Sequence, residues 1–175
     1  MNWLLEFERF FKHKERALSA VLDLHWARES WLRTELFLHF HDRYSGFRVN
    51  SYAGRQHFDL VCPDPALVAK LNLFGTGSQR RVVTGGKLDC EQVLAHPIGS
   101  EDRVLVGGWG LMRDYFKLLR VPKELTDASK VLILVADVKE SNDDLTRVLR
   151  AIRFEAKETR EVPLCRGLVR MWQIS

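Results

Sequence analysis

Residues 57–74, HFDLVCPDPALVAKLNLF, bring an acid, an amine and an amide within reach of one another. Two short apolar runs flank the turn Pro63-Asp64-Pro65. The first run carries Asp59 as its lone acid; the second carries Lys70 and Asn72, two residues apart. Side chains at i and i+2 of a strand stand on one face. Lys70 and Asn72 are therefore expected side by side, facing Asp59 across a hairpin. So placed, the acid and the amine either neutralise each other as an internal ion pair or serve a charged ligand.

This frame resembles the PD-(D/E)XK nuclease superfamily. The family signature is an Asp on one strand, a short turn, then Glu/Asp-x-Lys on the next strand, with a Glu from a preceding helix. The resemblance implies an α/β fold: a restriction-endonuclease-like sandwich, a mixed sheet with helices on both faces. It also implies roles. Asp59 corresponds to the family's aspartate. Glu35, an acid among apolar neighbours just before the hairpin, corresponds to the helix acid. Lys70 falls where the metal-binding acid belongs, and Asn72 where the catalytic lysine belongs.

A divalent ion in phosphodiester hydrolysis needs oxygen ligands, and Glu35 and Asp59 could supply two. At Lys70 an ammonium would stand where the third belongs. Two unit charges of one sign about 4 Å apart repel by roughly 1–4 kcal/mol, and a divalent ion doubles this. The expectation is a remnant site of Glu35, Asp59, Lys70 and Asn72, with Asp59 paired to Lys70 and no cofactor. The alternative is a working Mg²⁺-dependent nuclease with Lys70 as catalytic lysine, Asn72 as a neutral ligand, and Glu35 and Asp59 on the metal. Asp137-x-Lys139 has the family's spacing but ends a later strand, where solvated residues are the commoner reading.

Other chemistries find less support. His39, His41 and His57 could be imagined on zinc, but a His-x-His pair on a helix points its rings apart. There is no Gly-x-Ser-x-Gly and no P-loop; the sequence GTGSQRR lacks the Gly-Lys-Ser/Thr ending. Gly75-Thr76-Gly77 could still cradle a phosphate through its amides, with Arg80 and Arg81 beside it. Cys62, Cys90 and Cys165 are odd in number and far apart, which argues against a zinc site or disulfide framework and suits a reducing cytoplasm.

The elements that must position these residues follow from the patterning. Residues 1–24 read as an amphipathic helix with Trp3, Phe7, Phe10 and Phe11 on one side, a face for the core or, less often, for a second copy of the chain. Residues 27–41 read as a second helix, broken at Tyr44-Ser45-Gly46. Strands are expected at 47–52, 56–62 and 66–74, a helix at 111–119, a central strand at 131–138, a helix at 142–154 and a closing strand at 168–174. Residues 75–108 are rich in turn residues and read as a long excursion.

With 175 residues, 46% apolar and 29% charged, the chain suits one domain carrying an N-terminal helical extension at 1–24. The N-terminus lacks a signal-peptide pattern, and no apolar run approaches the roughly 20 residues that span a bilayer. The net charge of +4 and pI near 9.1 permit contact with nucleic acid. Arg80, Arg81 and Lys87 in the excursion are the expected phosphate-binding residues. The aromatic first helix argues instead for a protein partner. The leading expectation is a degenerate nuclease-like domain that binds nucleic acid or protein; an immunity or inhibitor protein reusing the fold is a further alternative.

Overall fold

The computed structural model describes residues 1–22, 24, 28–74, 110–136, 154–165 and 167–175. Its centre is a six-stranded mixed sheet in the order β1-β2-β3-β4-β6-β5. β1 (Arg48–Ala53), β2 (Gln56–Cys62) and β3 (Leu67–Phe74) form an antiparallel meander. β4 (Ser129–Ala136) lies parallel to β3, and β6 (Gly167–Ile174) runs antiparallel to β4 and to the edge strand β5 (Ala156–Leu164). Residues 131–136 of β4 are buried throughout, as a central strand covered on both faces requires.

Among the described residues, three helices cover the sheet. α1 (Trp3–Val21) begins at Asn2, whose side chain accepts the Leu5 amide at 3.1 Å and so satisfies one orphan donor of the first turn. Its aromatic stripe, Trp3, Phe7, Phe10 and Phe11, is at most 1% exposed. These rings pack on Phe40 and Phe47 and share one buried core with the sheet residues Leu71, Val131, Ile133 and Met171. The stripe is thus buried within the chain, and α1 is part of the core rather than an appendage. α2 (Arg28–Phe40) lies on the same face and buries Leu32, Leu36 and Phe40. α3 (Gly110–Leu119) covers the other face through Leu111, Tyr115 and Leu118, against Val68, Leu132, Leu134 and Trp172. The alternation of β3 and β4 divides the two cores, odd residues beneath α1 and α2, even residues beneath α3.

β5 is an element the sequence reading lacks. Its residues AKETREVPL are largely polar, and the only residues it buries are Val162 and Leu164. Charged side chains and Pro163 suit a strand at the edge of a sheet, where one side needs no partner. The expected excursion at 75–108, with Arg80, Arg81, Lys87 and Cys90, lies outside the described residues, as do Asp137, Lys139 and residues 142–153 of the expected helix. No described helix is long and apolar enough to cross a membrane.

A candidate site at the fork of two strands

The meander turns over at one point. Leu60 and Cys62 belong to the core beneath α1 and α2, whereas Phe58, two residues from Leu60, belongs to the core beneath α3. Val49 and Ala53 of the partner strand are divided in the same way. Strict alternation would keep each pair on one face. The change falls at Asp59 and Asn50, between the paired positions Val49↔Leu60 and Ser51↔Phe58, and Asn50 takes the left-handed φ of 51°. Pairing of β2 with β3 stops here too, at Leu60↔Ala69. Asp59 fills the fork: its Oδ2 accepts the Leu71 amide at 2.9 Å, where a backbone carbonyl would otherwise be needed.

Two cations meet this carboxylate. Lys70 Nζ lies 2.9 Å from Oδ2, and Arg33 Nη2 of α2 lies 2.7 Å from Oδ1. Asp59 is 3% exposed and Lys70 5%. Burial by itself pushes the Asp59 carboxyl up, but the Lys70 ammonium, the Leu71 amide and the Arg33 guanidinium outweigh it and hold the group below the usual carboxylate range.

Lys70 and Asn72 stand on the α3 face, as their spacing predicts. There they meet Asp114, an acid that the sequence reading did not single out. Asn72 Nδ2 donates to Asp114 Oδ2 at 3.0 Å, Lys70 Nζ stands 3.7 Å from Oδ1, and Lys117 Nζ stands 3.4 Å from the same oxygen. A signal for Asp114 was present: Leu111, Asp114, Tyr115 and Leu118 share one helical stripe, so the acid sits in an apolar row. On the far side Arg33 Nη2 also meets Glu29 at 2.7 Å. Glu29, Arg33, Asp59, Lys70, Asp114 and Lys117 form a row of alternating charge from α2, through the fork, to α3.

Glu35 does not join it, which corrects the expectation drawn from its place before the hairpin. Residues two apart on a helix project about 200° apart, so with Arg33 turned to Asp59, Glu35 turns away. It pairs with Lys14 at 2.7 Å, and Lys14 occupies the aromatic-stripe register of α1 between Phe11 and Leu18. The histidines are also dispersed. His39 packs on Phe10 and Phe40, where burial first, then Arg43 and His13, lowers its pKa; His41 stacks on Phe37; and His57 bonds Asn50.

As arranged, these donors do not fit a divalent cation. Asp59 and Asp114 are two carboxylates with an ammonium between them, and among the described residues no three acid, imidazole or thiol groups converge as ligands. Asp59 is also poorly suited to act as a general base, because its oxygens are engaged and its proton affinity is lowered. The chemistry the cluster supports is charge neutralisation inside the fold. No protein-family model matches this chain, and no curated protein or solved structure matches it either.

Proposed function

We propose that this chain is a PD-(D/E)XK-like domain whose hydrolytic site is retired and which acts by binding nucleic acid. The observation that carries the reading is the Lys70 ammonium between the carboxylates of Asp59 and Asp114, where a hydrolytic metal would need those oxygens. The antiparallel meander followed by the parallel β4, with helices on both faces, is compatible with a restriction-endonuclease-like sandwich. The net charge of +4 favours a polyanionic partner, since phosphate contacts dominate nucleic-acid affinity.

One observation favours a second reading. Asp114 supplies a carboxylate beside Asp59 that the degenerate strand motif lacks, so a working Mg²⁺-dependent nuclease could use Asp59 and Asp114 with Lys70 as its catalytic lysine. Calorimetry with Mg²⁺ and Mn²⁺, paired with cleavage assays on DNA and RNA, separates the two. The retired site gives no specific metal heat and intact substrates, while labelled nucleic acid is still retained. Metal-dependent cleavage that Lys70→Ala abolishes would establish the second reading. A protein that neither cleaves nor binds nucleic acid would refute both, and a protein partner would take their place.

A further inference from the structure

The outer face of α1 carries charge that neither the core nor the fork uses. Arg9, Lys12 and Arg16 stand at i, i+3 and i+7, opposite the buried aromatic stripe, and all three are exposed. The acids of the helix lie beneath them. Arg9 meets Glu6 at 2.8 Å and Lys12 meets Glu8 at 2.6 Å, yet the two cationic side chains are 72% and 61% exposed against 14% and 17% for the carboxylates. Each of these acids is shared with a second cation from another element. Arg43, after α2 and 56% exposed, lies 3.9 Å from Glu6, and Arg160 of β5 meets Glu8. Arg16 forms no ion pair with any described residue. Its neighbour Glu15 is turned to Cys165, accepting from the amide at 3.1 Å and from the thiol at 2.8 Å.

The charge on this face is layered, with cations outermost and carboxylates under them. A guanidinium has five N–H donors and an ammonium three, so each cation keeps donors free for a ligand arriving from solvent. Exposed ion pairs are weak and do not withhold these cations from an anion. From Arg9 to Arg16 the helix rises about 10.5 Å, close to three phosphate steps at about 3.4 Å each along one strand of a duplex. Single strands are held largely by stacking of unpaired bases on aromatic rings. The Trp and Phe residues of α1 are all buried, so its outer face offers charge without such a platform. That combination is complementary to a duplex, whose bases are paired and whose phosphates lie outermost.

We propose that the outer face of α1 binds double-stranded nucleic acid, with Arg9, Lys12 and Arg16, and Arg43 beside them, on the phosphates of the duplex. The contact is independent of base sequence, because it meets the backbone and not the base edges. This rests on the nucleic-acid reading above and adds the form of the polymer and its place on the fold.

The test uses the full chain and a fluorescein-labelled DNA duplex of about 20 base pairs, read by anisotropy over a range of salt, with an oligothymidylate of equal length as comparison. The duplex is expected to bind more tightly than the single strand. Lys12→Gln with Arg16→Gln should weaken binding and reduce the slope of log affinity against log salt by about 1.8. Arg55→Gln with Lys123→Gln removes the same charge from exposed positions at the β1–β2 turn and after α3, and should leave that slope unchanged. Melting curves confirm that each variant folds. Arg16→Glu, which breaks no ion pair, replaces the first variant if it does not fold, and should also weaken binding. Equal losses in the two double variants, no loss in the first, or a preference for single strand overturns this inference while the nucleic-acid reading stands. Failure of the wild type to bind either polymer overturns both, and sedimentation with phosphatidylserine vesicles in that case would name a membrane surface as what the face meets.

Discussion

Asp59 and Leu71 are joined at 2.9 Å by a side-chain carboxylate that does the work of a backbone carbonyl. The bond closes the ladder where β2 leaves β3, and it leaves the remaining carboxylate capacity to Lys70 and Arg33. The charged residues of the fork are therefore structural members of the sheet.

Lys70→Met keeps the length of the side chain and removes its charge. It removes the cation between two buried acids, but Asp59 keeps Arg33 and Asp114 keeps Lys117, so the loss should fall below the roughly 3–5 kcal/mol of a buried charge left with no partner. Urea denaturation should show this loss. Adding Asp59→Asn to Lys70→Met should recover part of it, because one of the two buried acids then carries no charge. A Lys70→Met protein as stable as wild type would show that the pair contributes nothing.

Acid should loosen the same site. The Asp59 carboxyl titrates below its unfolded value, so the unfolded chain binds the proton more readily and this contribution to stability rises with pH. It is complete above about pH 4, the ordinary aspartate range, and is lost as pH falls through the lower folded value. Stability curves of wild type and Asp59→Asn, measured from pH 7 to pH 2, should therefore lie apart at neutral pH and converge in acid. Parallel curves would contradict it.

How far these residues were legible depended on how locally their partners lie. Periodicity placed β2 at its observed bounds and α2 and β3 within a residue of theirs, because a buried face writes its period into adjacent positions. β5 was hidden because its exposed positions carry Lys157, Thr159 and Glu161, which read as loop. In the site, the facing of Asp59 and Lys70 was readable from a hairpin with a tight turn. Asp114 lies 42 residues beyond Asn72, so nothing local links the two. Glu35 was misplaced because closeness in sequence fixes which helix carries a side chain but leaves open which way that side chain turns.

Metal affinity should be possible to build in. Lys70→Glu with Asn72→Lys would write the acid-x-lysine order of the nuclease motif that the strand resembles, and would place a third carboxylate beside Asp59 and Asp114. Buried acids so crowded repel until a cation joins them, so Mn²⁺ should raise the melting temperature of this variant above its value in chelator. The wild type should show no such shift. Nuclease activity in the variant would add a substrate groove to the finding; absence of any Mn²⁺ effect would show that these three positions do not converge.

Gly46 offers a test of the scaffold apart from the charges. It takes φ 78° in the turn between α2 and β1, and a Cβ there would stand 2.8 Å from Pro63 Cγ. Gly46→Ala should therefore cost at least the roughly 1–2 kcal/mol of the left-handed conformation, with the clash against the β2–β3 turn added. Equilibrium denaturation gives the number, and a neutral result would mean that the two turns do not touch.

The alternating row from Glu29 to Lys117 also bears on how such a site changes over generations. Reversing any inner member sets it against both neighbours, so no single charge reversal at Arg33, Asp59, Lys70 or Asp114 is locally compensated. A route from this arrangement to one that could hold a divalent ion runs through a chain carrying an unpaired charge at the fork of its own sheet. The row acts as a ratchet: the sign of each inner charge is guarded by the stability of the fold itself.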